Sequence, residues 1–189
     1  MRNRSVVAPI VCALLVGLGA LQLYAAVTES STNVPLAIPD AGNVNSTLNF
    51  SVNGTISDAN LTVDIAHTWN DDIELRLTSP SIAAQVLWLD CGGSGDNTAV
   101  TIDQDAAALS TCPTTGPISG SVRPTDGTTA TPVATSGTLD AFDGSSSGGV
   151  WTLNVTDDST ICTGTLNSWS LTLDGSPPLP VELMSFEIE

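Results

Sequence analysis

The sequence predicts an all-β sandwich, and three observations predict it. Short runs alternate apolar and polar residues with a period of two, clusters of turn formers separate them, and no run has the three-to-four spacing of an amphipathic helix. The first run sets Leu61, Val63 and Ile65 against Thr62 and Asp64. The second sets Ile73, Leu75 and Leu77 against Glu74, Arg76 and Thr78. Trp151, Leu153 and Val155 then alternate with Thr152 and Asn154, and Trp169, Leu171 and Leu173 with Ser170 and Thr172. An extended chain points successive side chains to opposite faces, so each run owns one apolar face, as a half-buried antiparallel strand does. The punctuation falls at Asn70-Asp71-Asp72, Gly92-Gly93-Ser94-Gly95-Asp96-Asn97, Asp143-Gly144-Ser145 and Asp174-Gly175.

The ends of the chain have a different character. Arg2 and Arg4 precede an apolar stretch that closes on the small residues Ala25 and Ala26, the order of a secretory signal peptide over residues 1–26. Residues 27–45 are rich in Ser, Thr, Pro and Asn and read as a flexible leader, residues 46–175 as the domain, and residues 176–189 as a Pro-rich tail. Roughly 130 residues suffice for one core and are too few for two.

Charge excludes whole classes of partner. The chain has 4 Lys+Arg against 20 Asp+Glu, and its formal net charge is -16. Losing Arg2 and Arg4 with the signal takes this from -16 to -18 and leaves Arg76 and Arg123 as the only bases. Phosphate neutralisation needs clustered Lys and Arg, so a nucleic-acid partner is excluded, and an anionic membrane surface is disfavoured after signal cleavage. Export makes disulfides permissible. With Cys12 in the signal, Cys91, Cys112 and Cys162 remain. Cys91 and Cys112 flank the acidic, Gly-rich segment and are the favoured pair, with a Cys162 bridge as the competing arrangement.

Three ordered blocks carry a family resemblance. His67-Thr68-Trp69, Asp72-Ile73-Glu74-Leu75 and Leu77-Thr78-Ser79-Pro80 form the first. Leu139-Asp140-Ala141-Phe142-Asp143-Gly144 with Gly149-Val150-Trp151-Thr152-Leu153 and Val155-Thr156-Asp157 form the second. Gly164-Thr165-Leu166-Asn167-Ser168-Trp169-Ser170-Leu171 is the third. Together they resemble the P domain, or P/Homo B domain, of proprotein convertases and other subtilisin-like serine proteases of the kexin and furin type. The resemblance implies a jelly-roll, galactose-binding-like sandwich of about eight antiparallel strands, in which His67, Asp72, Ser79, Pro80, Trp151 and Trp169 occupy motif positions. It also implies association with serine-type endopeptidase proteolysis. One departure is Ser81-Ile82-Ala83, where the family usually has Gly-Thr after Ser-Pro.

No subtilisin-like catalytic segment accompanies these blocks. His67 is the single histidine, and among so many Ser and Thr and 20 acids an apparent partner for it arises by chance. The sequence therefore reads as a secreted, non-catalytic accessory module with a stabilising or protein-interaction role, its partner a subtilisin-like protease or another secreted protein. The alternatives are a carbohydrate- or surface-binding jelly roll and, least favoured, a hydrolase in its own right. The glycan alternative rests on Trp69, the one tryptophan outside a strand pattern; Trp88, Trp151 and Trp169 read as packing. The acids suggest calcium, because Asp90, Asp96, Asn97, Asp103 and Asp105 put hard oxygens on a glycine-rich turn that a Cys91–Cys112 bridge would hold closed. Zinc is excluded for want of a four-ligand nitrogen and sulfur set.

Overall fold

In the computed structural model, which describes residues 26–51, 53–129 and 131–175, the period-two alternation becomes eleven strands. They are β1 (Val27–Ser30), β2 (Leu36–Ile38), β3 (Asn43–Phe50), β4 (Asp58–His67), β5 (Ile73–Thr78) and β6 (Gln85–Leu89). β7 (Thr98–Asp103), β8 (Ile118–Val122), β9 (Thr125–Asp126), β10 (Gly149–Asp157) and β11 (Gly164–Asp174) follow. Single 3-10 turns cover Asn70–Asp72 and Leu139–Phe142. The signal segment and the Pro-rich tail lie almost wholly outside the described residues.

Two sheets face each other. One runs β1-β11-β4-β7-β8, with β2 also on β11, and the other runs β3-β10-β5-β6-β9. The all-β class holds, with two differences from the expected eight antiparallel strands. Short β1, β2 and β9 are added, and the pairs β6–β9 and β7–β8 are parallel. The core comes from the inward faces: Ala59, Leu61, Val63 and Ile65 of β4 meet Trp151, Leu153 and Val155 of β10, all buried. Trp151 lies edge-on to Phe142, with ring centroids 5.0 Å apart, and to Phe50 at 6.2 Å. Its indole N–H donates to the Ser147 carbonyl at 2.9 Å.

The expected flexible leader is ordered strand. β1 pairs with the C-terminal half of β11, β2 pairs with its start, and residues 43–45 open β3. Polar side chains hold it there. The Trp169 indole N–H donates to Ser46 Oγ at 2.7 Å, and that hydroxyl donates to Asn33 Oδ1 at 2.6 Å. Composition suggested a loop because Ser, Thr and Asn dominate. On an edge strand those residues satisfy the backbone's neighbours while facing water.

Candidate functional site

The site follows from two strands that keep their alternation for one residue past the apolar run. On β4 the inward set Leu61, Val63, Ile65 continues to His67, and on β10 the inward set Trp151, Leu153, Val155 continues to Asp157. The two strands lie in opposite sheets. Their last inward residues therefore meet across one end of the sandwich. His67 Nε2 lies 3.2 Å from Asp157 Oδ2, and both side chains are wholly buried. A carboxylate only accepts, so Nε2 carries the donated proton. The other ring nitrogen, Nδ1, is 2.7 Å from the Trp69 carbonyl and 3.2 Å from the Trp69 N–H, and it holds the following turn against the strand end. A β-carbon at position 164 would collide with the His67 ring, so β11 must begin with Gly164 for the ring to fit.

Asp72 completes the group. It is buried, and its carboxyl is pushed above the ordinary value first by desolvation and next by Asp157, with His67 acting in the opposite sense. Its backbone carbonyl accepts from the Asp158 N–H at 3.0 Å, tying the turn to the end of β10. Ser79 and Pro80 form a separate turn beyond β5. Ser79 Oγ accepts from the N–H groups of Ser81 at 3.2 Å and Ile82 at 2.8 Å, so the loop closes without the Gly-Thr usual in the family. Trp169 is buried, as are Trp88 and Trp151, whereas Trp69 is 43% exposed.

This geometry bears on chemistry. The His67 ring bonds to the Trp69 backbone and to Asp157, and among the described residues to no hydroxyl. A general base must reach its substrate's proton. A fully buried ring held at both nitrogens is built to hold two sheets together.

The five residues expected to bind calcium do not form one set. A common site needs all five on a single turn, but Thr98, Val100 and Ile102 alternate inward and make β7 a strand between them. Asp96 and Asn97 precede β7, whereas Asp103 ends it opposite Asn60 at the far end of β4. Five residue steps of about 3.4 Å put roughly 17 Å between the two ends. Asp103 Oδ1 is also occupied by the Asp105 N–H at 2.8 Å, and the Asn97 carbonyl accepts from Asn70 Nδ2 at 3.1 Å. Among the described residues no group of three or more His, Cys, Asp or Glu is placed to hold a metal ion.

Asp90 instead belongs to a cluster of mutually repelling carboxylates. Desolvation by burial, then Asp158, Asp71, Asp126 and Glu74, push its carboxyl from 3.8 to about 6. A carboxyl raised in the folded state holds its proton better there than in the unfolded chain. Folding stability therefore falls as pH rises from near 4 through about 6, and stays lowered above. Asp90→Asn is expected to stabilise the domain by about 1 kcal/mol at pH 7 and to change nothing at pH 4. Water at this partly exposed carboxylate screens most of the ~3 kcal/mol that such a shift represents in a dry site. The backbone at Asp90, with φ 45°, suits asparagine. Thermal unfolding at the two pH values checks this, and an equal change at both would refute the electrostatic cause.

The disulfide is Cys91–Cys112, and Cys162 is a free, partly exposed thiol. The bridge closes a segment with a sequence separation of 21 around β7. Loop-closure entropy for that length gives about 3 kcal/mol, so Cys112→Ala should lower stability by roughly that amount. Urea unfolding in the absence of reductant measures it.

Two residues of this end escaped the sequence reading. Asp157 ends a family block, and its phase with Trp151, Leu153 and Val155 points it inward, but nothing along the chain names its partner. Ile161 drew no attention, because only backbone geometry marks it.

An all-β sandwich with a sealed histidine–aspartate pair is thus the class of protein in hand. Residues 120–173 match the family model of the proprotein convertase P-domain, which bears out the resemblance carried by the motif blocks. The matched stretch runs from β8 to β11 and contains Trp151, Asp157 and Trp169. The comparison with curated proteins found no match. Among solved structures, the complex of the Aeromonas sobria serine protease with its chaperone aligns at 17% identity and a TM-score of 0.48, covering 81% of this chain and 27% of that one. The serine protease of Aeromonas sobria by itself aligns at 16% identity and a TM-score of 0.47, covering 80% of this chain and 27% of that one. The chain thus spans about a quarter of the length of those structures.

Proposed function

We propose that these residues form an exported P-domain module without a catalytic site of their own, which binds and stabilises a subtilisin-like serine endopeptidase. The match of residues 120–173 to the proprotein convertase P-domain carries the reading. The burial of the His67 ring supports its non-catalytic part, since the single histidine cannot meet a substrate. The acidic charge, -16 over the whole chain, suits a surface module that stays soluble while it waits for a partner.

Mixing the purified protein with a subtilisin-like endopeptidase from the same source tests this. Size-exclusion chromatography should show a complex, and the half-life of the protease at elevated temperature should lengthen. Absence of both effects overturns the accessory role. Casein cleavage by the pure protein should be nil. Cleavage that co-purifies with the domain through every column would instead restore the hydrolase alternative.

A further inference from the structure

One cleft at the His67 end remains unexplained by packing. It is formed by Trp69 and Asp72 on one side and residues 159–162 on the other, with a volume of about 330 Å³. Its apolar rim is exposed: Ile161 is 91% accessible and Trp69 43%, with the partly exposed Cys162 beside them. Ile161 also has φ 90°, a conformation that a β-branched residue adopts only under strain. Its N–H donates to Asp40 Oδ1 at 2.8 Å, which pins the strained loop to the β2–β3 turn. Here the isoleucine is held out into water beside an exposed tryptophan, and strained residues of this kind cluster at ligand clamps.

The charge around the cleft selects the partner. Asp72 lies in its wall, the exposed Asp158 bonds to that aspartate's backbone, and Asp40 and Asp71 stand alongside. Neither described base offsets them: Arg76 is paired with Glu74 at 2.5 Å, and Arg123 donates through Nε to the Gln104 carbonyl. We propose that Trp69 and Ile161 form a docking cleft for a protein segment that presents one large apolar side chain flanked by lysine or arginine. This deepens the accessory reading and rests on it for the identity of the partner. The apolar side chain enters between Trp69 and Ile161, and the flanking cations meet Asp40, Asp71 and Asp158.

Panning a displayed random heptapeptide library on the immobilised wild-type protein tests the cleft directly. The enriched peptides should share a large apolar residue next to lysine or arginine, and added salt should weaken their binding. A synthetic consensus peptide should lose about tenfold in affinity on Trp69→Ala and on Ile161→Asp, the scale of a truncated interface anchor. Ile161 is almost wholly exposed, so Ile161→Asp should leave the melting temperature near that of wild type and keeps the test free of any packing loss at the half-buried Trp69. Ile161→Gly should raise the melting temperature while weakening the peptide, separating relief of strain from loss of contact. Failure to enrich a basic-apolar consensus overturns the proposal, as does a consensus peptide that binds Trp69→Ala and Ile161→Asp unchanged. Glycan-array binding abolished by Trp69→Ala would assign the cleft to a sugar and overturn it equally. A protease complex that survives both substitutions removes the cleft but keeps the accessory role. Peptide binding without any protease complex does the reverse.

Discussion

His67→Ala is expected to destabilise the domain by about 3–5 kcal/mol, because it strips the buried Asp157 of its Nε2–H donor and leaves a ring-sized cavity. The substitution leaves the Asp157 carboxylate between two sheets, with the Ser159 N–H at 3.1 Å as its recorded hydrogen-bond donor. It also frees the Trp69 backbone that the ring holds. Asp157→Asn should cost less, about 1–2 kcal/mol, because an amide oxygen still accepts from Nε2. Urea unfolding with a common m-value for all three proteins measures the differences. A loss below 1 kcal/mol for His67→Ala would mean that water replaces the ring, and the picture of a sealed pair would fail. The consequence reaches the proposed docking cleft, since Trp69 stands two residues after His67 and its backbone is held by that ring.

Trp151→Ala should cost a similar 3–5 kcal/mol, for a different reason. Trp151 is fully buried at the centre of the core, and its removal leaves a cavity too well braced to collapse. Its edge-on contacts with Phe50 and Phe142 add about 0.5–1.5 kcal/mol each beyond simple burial. Trp151→Phe should recover most of this, losing about 1–2 kcal/mol, since a smaller ring still fills the space between those two phenylalanines. Thermal unfolding ranks the two variants. Equal losses for alanine and phenylalanine would show that the Nε1 bond to Ser147, and not packing, is what Trp151 contributes.

The strands with plain alternation were legible because period two is a direct image of burial: β4, β5, β10 and β11 all appear in the sequence pattern. β7 was not, because its outward Ala99 and Thr101 and its inward Thr98 blur the contrast between faces. β8 was hidden similarly, with Gly120 between Ser119 and Ser121 in a strand buried only at Ile118 and Val122. The leader was misread because β1 and β2 are edge strands, where water on one side relaxes any demand for apolar residues. At the site, His67 and Asp72 were recognisable as motif residues. What they do could not be seen, since the partner of His67 lies 90 residues away on the other sheet. Asp96 and Asp103 are near neighbours along the chain, and only the strand between them shows that it carries them to opposite ends of β7.

The pairing of β1 with β11 has a kinetic consequence. Val27 lies opposite Leu173, so among the described residues the first strand joins the last. Until residue 173 is free to pair, the N-terminal segment has no partner in its sheet, and β4 lacks its β11 neighbour. Folding is then governed by closure of one very long loop, which places it among the slow, non-local topologies that fold in milliseconds to seconds. A chain leaving a ribosome or threading a narrow pore could pair β5 with β6 and β4 with β7 early, but would leave β1 without its partner until β11 emerged.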